Sequence, residues 1–234
     1  MTTRTIFITG ANRGIGFALT KAYLNRREYR IFSSYRSPES SGQLLSLADL
    51  HPEHLIPLCM DVCDTGQIHE AAAIVRQYTN SLDILINNAG MLIQEDNFGD
   101  MTADNLLKTF ETNVSGTLLV TQNLLALLKN GTDAKIINMS SEAGSISTWE
   151  KNIIGSYAVS KAALNMLSKI MSVQLKEKNI ITVTVHPGNI KTDMGPENDT
   201  SPEICVGEML ELIDSLKPSD NGRFMRRDKT ALAW

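Results

Sequence analysis

Thr5-Ile6-Phe7-Ile8-Thr9-Gly10-Ala11-Asn12-Arg13-Gly14-Ile15-Gly16 begins as an apolar, β-branched run and ends on three glycines, directly ahead of residues 15–26, where apolar side chains recur at helical spacing. The expectation is a strand that turns sharply into a helix. Glycine permits positive φ and lets backbone N–H groups approach an oxyanion, and the helix start behind it adds partial positive charge. The turn therefore reads as a cradle for a pyrophosphate. Its spacing is GxxxGxG and not the dinucleotide fingerprint GxGxxG. The alternative is a glycine-rich turn that merely packs strand on helix.

The alternation continues outward from this turn. Strand-like runs at 30–35, 55–60, 82–87, 134–140, 180–186 and 223–226 alternate with helical patterns at 38–50, 65–78, 102–129, 153–178 and 202–216, several opened by Asp, Ser or Thr in capping positions. Runs such as Ile84-Leu85-Ile86 are apolar on both faces, as strands covered by crossover helices must be. The chain is thus expected to be an α/β, Rossmann-like, doubly wound domain: a seven-stranded, mainly parallel sheet with helices on both faces. In such sheets ligands bind beyond the carboxyl ends of the strands, so chemistry is sought in the residues after each strand.

With 234 residues, 42% hydrophobic and 21% charged, the composition suits one folded domain. A net charge of −4 argues against a general grip on nucleic acid or anionic membrane, so any phosphate site must be local. Cys59, Cys63 and Cys205 form no CxxC pair and leave an odd count, which speaks against a disulfide framework and for a reducing, cytoplasmic setting. The first residues carry no apolar signal segment, and no run approaches the roughly 20 residues of a bilayer span. His51, His54, His69 and His186 have no ligand spacing, so no metal site is expected.

Cofactor choice turns on the end of the second strand, Ser33-Ser34-Tyr35-Arg36. No carboxylate is available there to accept from a ribose 2′-OH, whereas Arg36 and Arg13 suit a 2′-phosphate. That favours NADP(H) over NAD(H). Against it stands the reading in which both arginines are merely solvated, or Arg36 pairs with Glu39.

With these residues in place the chain resembles the short-chain dehydrogenase/reductase family over nearly its whole length, as a single NADP-binding domain spanning 1–234. Thr9-Gly10-x-x-x-Gly14-x-Gly16 is similar to the family's cofactor turn, Asn87-Asn88-Ala89-Gly90 to its motif after the fourth strand, and Tyr157-x-x-x-Lys161 to its catalytic signature. Pro187-Gly188 follows the sixth strand, and Asp61-Val62 matches the pair that contacts the adenine ring. The segment 186–195 and the Leu-Ala-Trp ending resemble C-factor-like and sniffer-like carbonyl reductases.

The resemblance implies hydride transfer between NADP(H) and a small carbonyl or alcohol substrate, with Asn113, Ser141, Tyr157 and Lys161 as the catalytic set. Tyr157 and Lys161 stand four apart on one helix face, so an ammonium is expected to lower the phenol pKa. Ser141 is assigned as the carbonyl-orienting hydroxyl, with Ser140 competing because strand neighbours face opposite sides. Asn113, unfavourable inside a helix, is expected to hold a water relaying protons to Lys161, with satisfying a neighbouring backbone group as the alternative, and the two roles are compatible. Gly10, Asn12, Arg13, Gly14, Ile15 and Gly16 would hold the phosphates. Backbone groups at Asn87, Ala89, Gly90, Pro187 and Ile190, with the Thr192 hydroxyl, would line the nicotinamide half, with Lys161 on its ribose. Met91, Leu92, Ile146, Trp149 and Met194 are candidate substrate walls. Pairing of the long helices predicts a homodimer or homotetramer. The rival reading is a nucleotide-sensing or signalling protein on the same scaffold; within enzymes, a dehydratase or epimerase.

Overall fold

Each β-branched run becomes a strand of one sheet in the computed structural model, which describes residues 3–94, 96–148 and 155–234. The strands are β1 (Arg4–Ile8), β2 (Tyr29–Tyr35), β3 (Leu55–Cys59), β4 (Ile84–Asn87), β5 (Lys135–Met139), β6 (Ile181–His186) and β7 (Phe224–Arg226). They lie in the order β3-β2-β1-β4-β5-β6-β7, and all six pairings are parallel, where a mainly parallel sheet was expected. The helices are α1 (Gly14–Asn25), α2 (Gly42–Leu50), α3 (Thr65–Tyr78), α4 (Ala103–Phe110), α5 (Gly116–Leu128), α6 (Gly155–Gln174) and α7 (Pro202–Ser215). The helix expected over 102–129 is interrupted by one wide π-type turn, Glu111–Ser115, between α4 and α5. Residues 153 and 154, the expected start of α6, lie outside the described residues.

Strand alternation explains the two-faced core. Ile6 and Ile8 of β1 enter one cluster with Leu19 and Tyr23 of α1, Leu44 of α2 and Met209 and Leu212 of α7. Phe7 points the other way, to Ile68 and Val75 of α3 and Val120 and Leu124 of α5. Strand order reverses between β1 and β4, so their crossovers leave on opposite faces and a crevice opens at their carboxyl ends. Three helix starts are closed by side chains: Asp64 accepts from Gln67 N (3.0 Å), Thr102 from Asn105 N (3.1 Å) and Ser201 from Ile204 N (3.4 Å). Helix α1 opens on Arg13 with no side-chain cap, as α2 does on Ser41.

Buried polar side chains fix the strand ends beneath the crevice. Asn87 Nδ2 donates to Asn138 Oδ1 (2.8 Å) and Thr121 Oγ1 (3.1 Å), and Asn138 Nδ2 donates to Ser168 Oγ (2.8 Å), a ladder from α5 through β4 and β5 to α6. At the opposite edge buried Asp83 accepts from Thr5 N and Thr132 N, both at 2.7 Å. Replacing Asp83 by Ala strands two N–H donors and should cost about 2–4 kcal/mol in urea unfolding. A loss below about 0.5 kcal/mol would show that this pin does not hold β1 to the β5 approach.

Candidate active site

The crevice is a cleft of about 600 Å³ running from the glycine turn to Tyr157 and Lys161. Gly10 (φ +63°) and Gly14 (φ +55°) adopt the left-handed conformation that favours glycine, and both line it. Gly16 does not: a Cβ there would run into Gly10 O and Asn88 Nδ2. Gly16 thus fits the packing reading of the turn, whereas Gly10 and Gly14 lie on the cleft wall, where a cradle would need them. Asn88, which sequence reasoning did not single out, holds the turn. Its N and that of Ala89 both donate to Thr9 Oγ1 (2.9 Å each), while its Nδ2 donates to Thr9 O (2.9 Å) and Gly10 O (3.1 Å).

At one end Arg36 stands exposed on the cleft wall, and among the described residues no ion pair ties it to Glu39. Ser37 and Ser40 line the wall beside it, hydroxyls that carry no motif of their own. Asn12 Nδ2 donates to Ser40 O (3.1 Å), tying the glycine turn to that segment. Arg13 is paired, its Nη1 2.6 Å from Asp193 Oδ2 in the segment after Thr192. Asp61 and Val62 are also on the wall. The Asp61 carboxylate accepts from Cys63 N (2.9 Å), and Val62 packs so closely on Gly116 that a Cβ there would stand 2.9 Å away.

At the other end α6 places Tyr157 and Lys161 together, with Nζ 5.4 Å from the phenol ring centre. The Lys161 ammonium is buried and donates to Met139 O at 2.8 Å. Burial pushes the Tyr157 phenol up to about 12, and what pulls it back is the Ser141 hydroxyl. Burial pushes Lys161 down to about 8. Burial outweighs the lowering of the phenol expected from the ammonium, so the value rises. The two serines differ in their surroundings, and Ser140 but not Ser141 lines the cleft. Ser140 Oγ is committed to Asn165 Oδ1 (2.6 Å), whereas Ser141 Oγ accepts from Ala143 N (3.1 Å) and faces Tyr157.

Asn113 sits in the π-type turn, away from the cleft wall. Its Oδ1 accepts from Met91 N (2.7 Å), and its Nδ2 donates to Met91 O and Ser160 Oγ (2.9 Å each). Both ends of the side-chain amide hold protein groups, as the backbone-satisfying role expects. Ala89, Gly90, Pro187 and Thr192 line the cleft, as does Ile15. The Asn87 side chain belongs to the buried ladder and Ile190 is core, leaving each only backbone groups to offer. Of the substrate-wall candidates Met194 is on the wall, Ile146 is largely exposed, and Trp149 lies outside the described residues. Among the described residues no acidic, His or Cys cluster could hold a metal, and no helix is long and apolar enough to cross a membrane.

The lysine offers a signed test. With a folded value near 8 against an ordinary 10.5, the unfolded chain binds more protons between those pH values, so stability rises with pH across that window. Below it the full burial penalty, up to ~3 kcal/mol, is present. Unfolding of Lys161→Met compared with wild type should favour the variant most at pH 7, with the difference shrinking towards pH 10; a pH-independent difference would contradict the lowered value.

Comparisons with known proteins converge on this geometry. The family profile of short chain dehydrogenases matches residues 4–203. An NADPH-bound carbonyl reductase from chicken fatty liver superposes with a TM-score of 0.93 at 34% identity, and the carbonyl reductase Sniffer of Drosophila melanogaster with 0.94 at 31%, each covering 100% of both chains. The C-signal protein of Myxococcus xanthus is 36% identical over 157 residues, 67% of this chain and 95% of that protein. The chain belongs to the short-chain dehydrogenase/reductase family of oxidoreductases and is similar to its C-signal-like and Sniffer-like members.

Proposed function

We propose that this protein is an NADP(H)-dependent carbonyl reductase acting on a small aldehyde, ketone or quinone, or on the corresponding alcohol in reverse. The observation that carries the reading is the pairing of Tyr157 and Lys161 at the closed end of a cleft whose other end presents Arg36 and the uncapped start of α1. The residues fit the dinucleotide. A Cβ at Gly10 would press to 3.0 Å from Ala89 Cα, at Gly14 to 3.2 Å from Thr192 Cγ2, and the free N–H groups of α1 suit a pyrophosphate. Two relatives of known structure at 24% identity hold NADP, as does the chicken enzyme its reduced form.

When bound, NADPH supplies the hydride that the carbonyl carbon accepts. Tyr157 donates the proton to the carbonyl oxygen, and Ser141 orients that oxygen towards it. Lys161, with one acceptor among the described residues, would turn its remaining N–H donors to the ribose hydroxyls and stabilise the phenolate left behind. Asn113 keeps the Met91 backbone and, through Ser160, the first turn of α6 in register. Ser37 and Ser40 would join Arg36 on the 2′-phosphate. Free Cys59, Cys63 and Cys205 suit a reducing compartment such as the cytoplasm. Exposed Leu107 of α4 and Met166 and Val173 of α6 provide an apolar face for a second copy in a homodimer or homotetramer.

Replacing Tyr157 by Phe should cut NADPH oxidation across a carbonyl panel by about 10²–10⁴-fold while NADPH affinity stays within about twofold; retained turnover would refute the assignment. Wild-type protein that binds NADPH but reduces nothing would favour the sensing role. Arg36→Asp should move preference towards NADH, and an unchanged ratio of the two kcat/KM values would remove Arg36 from phosphate recognition. Ser141→Ala should lower kcat more than Ser140→Ala, the reverse order pointing to Ser140.

A further inference from the structure

Beyond β7 the chain turns back on itself. Met225 pairs antiparallel with Ala231, and Leu232 N donates to Phe224 O at 2.9 Å. The tongue so formed carries two arginines that reach different loops of the cleft. Arg226 Nη2 stands 2.8 Å from Glu142 Oε2, one residue past Ser141. Arg227 is half-buried: Nε donates to Glu208 Oε2 of α7 (2.6 Å), Nη1 to Pro187 O (2.5 Å), and its backbone N to His186 O (3.1 Å). Pro187 O also accepts from Cys205 Sγ (3.6 Å). Gly188 has φ +90°, and a Cβ there would collide with the Arg227 guanidinium, which fills the space that glycine leaves.

We infer that Arg227 is a positioning residue for the nicotinamide half of the cofactor, acting through the Pro187–Gly188 peptide; this rests on the cofactor reading above. A trans peptide points its C=O and N–H in opposite directions, so holding the Pro187 carbonyl on the guanidinium fixes where the Gly188 N–H and the following residues face. Glu208 holds the guanidinium plane from its other edge. A planar fork can join a carboxylate and a carbonyl at once, whereas an ammonium is a point charge without that fixed geometry. Pro187 lines the cleft while Arg227 does not, so Arg227 acts without touching the ligand.

The test is calorimetric titration of wild type, Arg227→Gln, Arg227→Lys and Glu208→Gln with NADPH and with 2′,5′-ADP, which carries the adenosine half and its 2′-phosphate but no nicotinamide. Arg227→Gln should raise the NADPH Kd about tenfold while the 2′,5′-ADP Kd stays within about twofold. Arg227→Lys should rescue it only in part, and Glu208→Gln should shift NADPH in the same direction by less. If Arg227→Gln does not fold, Glu208→Gln carries the same comparison. Both Kd values moving together, or neither moving, would overturn the inference. Wild type that binds neither ligand would overturn the cofactor reading instead.

Discussion

The hydrogen bond from Lys161 Nζ to Met139 O joins the sheet to the chemistry. An ammonium taken out of water needs partners, and among the described residues this one has a single carbonyl at the end of β5. That contact ties α6 to the strand end from which Ser140 and Ser141 follow, so the phenol, the ammonium and the serine hydroxyl keep one arrangement. It also leaves donors over, at the floor of a cleft with room for a long ligand. The lowered lysine value and the raised tyrosine value describe this pair before charge is supplied from outside the protein. On the proposed reading the phenol must stay protonated until the carbonyl oxygen takes its proton, and the raised value lies in that direction.

The sheet was legible because period-2 and period-3.6 patterns are local, and because turn chemistry marks each strand end. Gly10, Gly14, Tyr157 and Lys161 could be read for the same reason, each lying at a strand end or on one helix face. Other roles depend on partners distant in sequence. The Asn113 amide meets Met91, 22 residues away, and Ser160, 47 away, so its side chain acts as a brace that spacing could not reveal. Asn87 spends its side chain on Asn138 and Thr121, which leaves free the backbone groups that the resemblance implies. Arg13 looked free for phosphate but pairs with Asp193, 180 residues on, a contact that spacing cannot reveal. The one visible signal for Asn113 was negative: polar residues fare poorly inside helices, and the helix widens there.

Around the cleft runs a second layer that sequence reading left unassigned. Asn88 and Thr9 lock the glycine turn, Asp96 accepts from Ser156 N (2.8 Å) at the first turn of α6, and the tongue beyond β7 ties Glu142 and Pro187 to the sheet edge. These bonds connect four separate loops to rigid elements, which is how loops carry a site without losing its geometry.

The most direct measurement is a crystal structure of the protein with NADPH. The nicotinamide ribose is expected within ~3 Å of Lys161 Nζ, with the Tyr157 hydroxyl facing the ring and Arg36 against the 2′-phosphate. A dinucleotide bound elsewhere, or bound with its ribose out of reach of a lysine still held only by Met139 O, would contradict the central claim.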